Sequence, residues 1–290
     1  MQPSSWSTRW PSYGTVALAA ALAVSACAKK EPAPAAMQPG PNHVIVTASD
    51  FAFTAPDTIT AGLEMFHLVG KGPSLHHVQV VALDSGKTVA DLMAAMKNPG
   101  PPPAWVRWVG GPNAVAPSGV DTSVAYLTLT AGNYALLCLI PDSAGVPHFA
   151  HGMVRALTVA ASAMTPAAAP NADVEIHLKD YDFVVTGNLT AGPHTIRIVN
   201  DGPQMHEMVI GQLAPRKMAK DLVNYVERDH MHGMPPGKPV GGTTALSPGG
   251  SVVISVNLTA GNYALVCFIP DAKDGKDHAL HGMAKDLKVS

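Results

Sequence analysis

Charge is scarce in this sequence. Asp, Glu, Lys and Arg make up 14% of 290 residues and leave a net charge of −2. With no run of five or more basic residues, nothing in the charge pattern provides for nucleic acid. Long apolar runs are missing too: the most hydrophobic stretch, Thr15 to Val24, is too short to cross a bilayer comfortably. Cysteine is limited to Cys27, Cys138 and Cys267, too few for a disulfide scaffold. What is abundant is Gly and Pro, 26 of each, in a chain that is 47% hydrophobic. That combination predicts a turn-rich, mostly β protein rather than a helical bundle, long enough for two domains with separate cores.

The first residues read as a targeting segment. Arg9 supplies a positive start, Thr15 to Val24 an apolar stretch, and Val24-Ser25-Ala26 small residues before Cys27. Val-Ser-Ala-Cys resembles the bacterial lipobox, in which the cysteine is lipidated and becomes the first mature residue. An ordinary secretory cleavage after Ala26 is the alternative, and both readings export the chain. On the first reading residues 1–27 are a lipoprotein-type signal and residues 28–41, AKKEPAPAAMQPGP, a Pro- and Ala-rich tether. The expected location is a periplasmic lipoprotein held at a membrane by lipid on Cys27. Lys29 is not the aspartate that retains some lipoproteins at the inner membrane, so the outer membrane is preferred.

The rest of the chain is written twice. Leu129 to Met153, LTAGNYALLCLIPDSAGVPHFAHGM, returns at Leu258 to Met283 as LTAGNYALVCFIPDAKDGKDHALHGM. Asp50-Phe51-Ala52-Phe53 matches Asp180-Tyr181-Asp182-Phe183, and Gly72-Pro73-x-x-His76 matches Gly202-Pro203-x-x-His206. Residues 42–160 and 172–290 are therefore expected to be two copies of one domain, joined by the low-complexity linker 161–171. Period-two alternation predicts strands at His43 to Thr47, Met65 to Val69, His77 to Val81, Ser123 to Leu129, Tyr134 to Leu139 and Val154 to Val159. Their counterparts lie at Val174 to Leu178, Thr195 to Val199, Glu207 to Gly211, Val252 to Leu258, Tyr263 to Phe268 and Ala284 to Val289. About seven short strands per copy predict a β-sandwich. One short helix per copy follows from Val89, Leu92, Met93 and Met96, and from Met218, Leu222, Tyr225 and Val226.

Each copy then retains one thiol that has no partner within its own domain. Around it stand an upstream histidine and a downstream His-x4-Met: His76, Cys138, His148 and Met153 in the first copy, His206, Cys267, His278 and Met283 in the second. A copper electron-transfer site needs a soft thiolate, two imidazoles and a weak thioether. In order and spacing the chain resembles the cupredoxin, or blue copper, family over both copies. That resemblance implies an all-β fold of two tandem Greek-key sandwiches, each with its inserted helix, and one type 1 copper per domain. It also implies a protein redox partner.

The Cys-to-His loop departs from small cupredoxins, having nine intervening residues in the first copy and ten in the second, and looks closer to the type 1 loop of copper nitrite reductases. His148 and His278 are preferred because they keep the His-x4-Met spacing; His151 and His281 remain alternatives. His76 is preferred to His77 because Glu207 stands opposite His77. A further cluster, His230-Met231-His232-Gly233-Met234, follows the second helix and is read as a solvated loop, with transient Cu(I) binding as its functional alternative.

Three functions compete. An electron carrier is favoured, and copper handling, copper storage or a metal-free binding module is the alternative. A two-domain copper oxidase or nitrite reductase is disfavoured. Such enzymes wire the type 1 cysteine to a catalytic copper through an adjacent histidine, whereas Leu137 and Leu139 flank Cys138, and Val266 and Phe268 flank Cys267.

Overall fold

The computed structural model describes residues 40–97, 100, 102–115 and 122–290. The targeting segment, Cys27 and most of the tether lie outside the described residues. Among the described residues no helix is long and apolar enough to cross a membrane. Residues Gln38–Ser290 form one compact unit.

The first half contains β1 (Asn42–Ser49), β2 (Ala52–Thr54), β3 (Thr58–Thr60), β4 (Gly62–Gly70), β5 (Gln79–Leu83), α1 (Val89–Ala95), β6 (Val106–Gly110), β7 (Thr122–Leu129), β8 (Gly132–Leu137) and β9 (Val154–Ala160). The second half contains β10 (Val174–Lys179), β11 (Asp182–Thr186), β12 (Gly192–Asn200), β13 (His206–Leu213), α2 (Ala219–Glu227), β14 (Gly237–Leu246), β15 (Ser251–Leu258), β16 (Gly261–Val266) and β17 (Ala284–Val289). The fold is all-β: two sheets packed as a sandwich, to which each half contributes a similar set of strands and one short helix. In both halves the opening strand runs parallel to its neighbour, β1 beside β4 and β10 beside β12, while the other pairings of that sheet are antiparallel.

Alternation decides which side chains enter the core. Val44, Val46 and Ala48 of β1 turn inward, as do Ala125, Leu127 and Leu129 of β7 and Ile254, Val256 and Leu258 of β15. Burying each such Val, Leu or Ile contributes about 1.5–3 kcal/mol. These residues join one apolar cluster that spans both halves and includes Cys138, Met153, Cys267 and Met283.

The halves share their sheets. The eight-stranded sheet runs β11-β10-β12-β15-β7-β4-β1-β2, so β15 pairs with β7 across the boundary. The nine-stranded sheet runs β17-β16-β13-β14-β6-β5-β8-β9-β3, with Leu246 of β14 opposite Val109 of β6. Both helices lie against the second sheet. The α1 helix is opened by Thr88, whose hydroxyl accepts from Asp91 N at 3.2 Å while Asp91 accepts from Thr88 N at 2.9 Å. It buries Leu92 against Val81, Leu83 and Leu137, and α2 buries Val223 against Leu213, Ala264 and Val266.

Five strands go beyond the alternation pattern: β2, β3, β6, β11 and β14. The two strands before the cysteines stop at Leu137 and Val266, two residues earlier than alternation suggests. At that point the backbone changes partners, and Cys138 N donates to Met153 O, as Cys267 N does to Met283 O. In the first half β5 begins at Gln79, leaving His76 and His77 ahead of it.

Candidate metal centres

Each centre is assembled from four places in a half. His76 precedes β5, Cys138 follows β8, and His148 opens a 3-10 turn, His148–His151, in the loop before β9. All three are buried. The Nδ1 atoms of His76 and His148 lie 3.1 Å apart, with Cys138 Sγ at 3.9 Å from the first and 3.5 Å from the second. Met153 is fully buried; its N–H donates to His148 O at 3.1 Å and its carbonyl accepts from Cys138 N at 3.2 Å. Gly152, at φ 99°, takes the left-handed conformation that ends the turn and lets Met153 fold back in this way.

The second centre repeats the first. Cys267 Sγ lies 3.5 Å from His278 Nδ1 and 3.9 Å from His206 Nδ1. Met283 N donates to His278 O at 2.9 Å, and Gly282 stands at φ 105°.

A carboxylate orients the first histidine of each set. Asp50, between β1 and β2, accepts from His76 Nε2 at 2.6 Å, and Asp180 accepts from His206 Nε2 at 2.7 Å. A proton held at Nε2 leaves the Nδ1 lone pair facing the sulfur, the tautomer a metal needs. Burial works to raise the Asp50 pKa, but hydrogen bonds from Ser74 and His76 outweigh it and hold the carboxyl below its usual value.

Desolvation shapes the other groups. It lowers the pKa of His148, with neighbouring His76 adding to the effect, and pushes His278 down to about 4 with help from His206. It also lowers His206, against the pull of Asp180. These three imidazoles are thereby kept neutral. Burial pushes the Cys138 thiol up to about 11 and raises Cys267 further, the latter with a contribution from Glu207. Without a cation nearby, both thiols hold their protons at neutral pH.

This donor set fits a copper ion. Two atoms bound about 2.0–2.3 Å from a common ion at near-tetrahedral angles lie roughly 3.5 Å apart, and the atoms here are 3.1–3.9 Å apart. In each half the Nδ1, Nδ1 and Sγ atoms fall within 4.8 Å of one another. The His and Cys groups of both halves fit a copper ion, and a buried Met follows each of them.

Comparison with known proteins finds distant likenesses among solved structures alone. No protein-family model matches the chain, and no curated protein does. Among solved structures, auracyanin from Roseiflexus castenholzii is 22% identical over 40% of this chain and 94% of its own, at a TM-score of 0.26. Auracyanin B is 18% identical over 42% and 93%, at 0.28. The copper-containing nitrite reductase of Thermus scotoductus is 13% identical over 87% and 62%, at 0.25. Identities and TM-scores this low leave the chemistry to be read from the residues themselves.

The neighbouring histidines go elsewhere. His151 reaches outward to Asp142 at 2.8 Å, and His281 to Asp274 at 3.1 Å. His77 is buried, accepts from Leu139 N at 2.9 Å and has its pKa pushed down to about 3 by desolvation. Glu207 does the same work in the second half, accepting from Phe268 N at 3.1 Å. Each thus fixes the residue that follows the cysteine. The His230–Met234 cluster joins neither centre, and Met234 is 93% exposed.

The roles of Asp50, Asp180, His77 and Glu207 escape sequence reasoning. The repeated Asp at the start of Asp50-Phe51-Ala52-Phe53 and Asp180-Tyr181-Asp182-Phe183 is the only trace of the first two.

Proposed function

We propose that this protein is an exported type 1 copper protein that carries single electrons, with one copper in each half. The observation that carries the reading is the pair of buried Nδ1, Nδ1 and Sγ groups, each closed over by the apolar core. His76, Cys138, His148 and Met153 would hold one ion, and His206, Cys267, His278 and Met283 the other. Bound copper supplies a one-electron change between Cu(I) and Cu(II).

The chain's own residues do the rest. Asp50 and Asp180 hold the imidazole tautomer, and the Met153 and Met283 backbones pin the cysteine backbones. Glu207 N donates to Cys267 Sγ at 3.4 Å, a bond that draws charge from the sulfur. Burial keeps water from the donors. Leu137, Leu139, Val266 and Phe268 beside the cysteines offer no ligand side chain toward a second metal, which favours a carrier over an oxidase or nitrite reductase. Lipid on Cys27 would tether the carrier at a membrane, outer in preference, where a redox protein meets it.

The test is to add Cu(II) to purified, reduced protein and record its visible spectrum and voltammogram. An intense thiolate-to-copper band with a reversible one-electron couple is expected. Folded protein without the band would refute the site, and a band without a reversible couple would leave copper handling as the function. Cys138→Ser and Cys267→Ser made singly should each remove about half of the absorbance, one of two sites.

A further inference from the structure

Beside the first centre, in a cavity that reaches His148, the outer face of the nine-stranded sheet carries an island of polar residues. Under α1 that face presents Val81, Leu83 and Leu137, and under α2 it presents Leu213, Ala264 and Val266. Another set on the sheet and its adjoining segments, His77, Gln79, Trp108, Asn113 and Glu207, is buried as well. These five line a cavity of about 1260 Å³. Its walls come from both helical covers, Leu139, Met205 and Ile269 from one and Leu222 and Phe268 from the other.

Three of the five polar residues are satisfied within the protein. His77 accepts from Leu139 N, Glu207 accepts from Phe268 N, and Asn113 donates to Thr243 O at 2.9 Å while accepting from Ala114 N at 2.7 Å. The other two are not. Trp108 Nε1 and Gln79 Oε1 are buried without a hydrogen-bond partner. Turning the Gln79 amide does not relieve it. Its Nε2 donates to Val80 O at 2.9 Å and Ala245 O at 3.1 Å and lies 3.4 Å from Gly110 O. A flipped amide would set an oxygen against three carbonyls.

A buried donor and a buried acceptor, both unpaired in the wall of a mostly apolar cavity, are the polar complement of a missing hydroxyl. We infer that this cavity binds a neutral hydroxylated aromatic compound. Its hydroxyl donates to Gln79 Oε1 and its oxygen accepts from Trp108 Nε1, after small side-chain shifts uncover these atoms. Phe51, Tyr225 and Phe268 give the ring aromatic walls. No bond is made or broken, and the inference does not depend on copper.

The experiment is calorimetric titration of the purified full chain with 2-naphthol and with naphthalene, which share a ring system and differ in the hydroxyl. We expect 2-naphthol to bind about tenfold or more tightly than naphthalene, the worth of a hydrogen bond to a buried orphan. Trp108→Phe keeps a ring and removes the N–H; it should weaken 2-naphthol about tenfold and leave naphthalene within about twofold. Val209→Phe, which fills the cavity from β13, should weaken both.

Absence of binding, equal affinity for the two probes, or an unchanged 2-naphthol affinity in folded Trp108→Phe would each overturn the inference. So would sedimentation showing that a second copy covers the cavity while neither probe binds. If Trp108→Phe fails to fold, the two probes on the parent chain and Val209→Phe decide the matter.

Discussion

Asp50 and Asp180 touch no sulfur, yet they decide which imidazole nitrogen faces it. The hydrogen bond that does so in the second centre passes beside Gly202, where a Cβ would lie 2.5 Å from His206 Nε2 and 2.9 Å from Asp180 Oδ1. Gly202→Ala is therefore expected to part the pair. Loss of such an outer partner costs about 10–100-fold in metal affinity, to be read in the second site by competition with a chelator while the first is unchanged. The thiols give a second prediction. Cys138 is raised to about 11 and Cys267 is raised as well, whereas desolvation keeps His148 and His278 neutral near pH 7. Copper bound in the second centre at pH 7, where His206 is lowered too, should then release about one proton, from the thiol alone. Calorimetry in buffers of different ionisation enthalpy counts that proton; a value near zero would mean that the thiolate is not the ligand. Cys, the two His and Met could be named as candidates from spacing, because the repeat aligns them. The carboxylates could not, since they lie 26 residues upstream of the histidines they orient.

At the scale of elements, strands with one face in the core were legible from alternation, as in β1, β7 and β15. The β14 strand was not. Its last six residues, Gly241 to Leu246, are all buried, and it breaks register twice, between Pro239 and Gly242 and between Thr243 and Leu246, with Gly241 and Gly242 in the left-handed region at φ 124° and 121°. A strand buried on both faces and bent by glycines has no period of two to read. Yet β14 joins the second sheet across the halves. Leu246 there is fully buried and stands opposite Val109 of β6. Leu246→Ala should cost about 2–5 kcal/mol, measurable by chemical denaturation, with the visible copper band of the surviving folded protein unchanged.

At the scale of the molecule, both sheets and one apolar cluster cross from half to half. A chain so connected should unfold in one calorimetric transition, and residues 42–160 expressed alone should aggregate or pair through the bared edges of β6 and β7. Two separate transitions, or a stable monomer of the first half, would contradict this. The boundary also holds Glu207, raised by desolvation to about 7 from an ordinary 4.5. Below pH 4.5 the folded and unfolded chains both hold that proton. Between 4.5 and 7 the unfolded chain gives it up first, so stability declines as pH rises, and above 7 the full penalty is in place. Glu207→Gln lacks this term. Its melting temperature, measured without metal, should gain on the parent as pH rises from 4.5 to 7, by up to about 3 kcal/mol in stability.

The repeat, the all-β class and the candidate ligand types with their spacing were legible in the sequence alone. They are local quantities: strand periodicity and the short Cys-to-Met loop lie within stretches of about 25 residues. Tertiary structure decided which of the competing histidines turn to the sulfur, which carboxylates stand behind them, and how the halves meet. Those outcomes depend on contacts between residues far apart in the chain. Asp50 finds His76, Asn113 lies 3.5 Å from Glu207, and Gln79 donates to Ala245 in the other half. Only the assembled sheets bring such partners within hydrogen-bond reach.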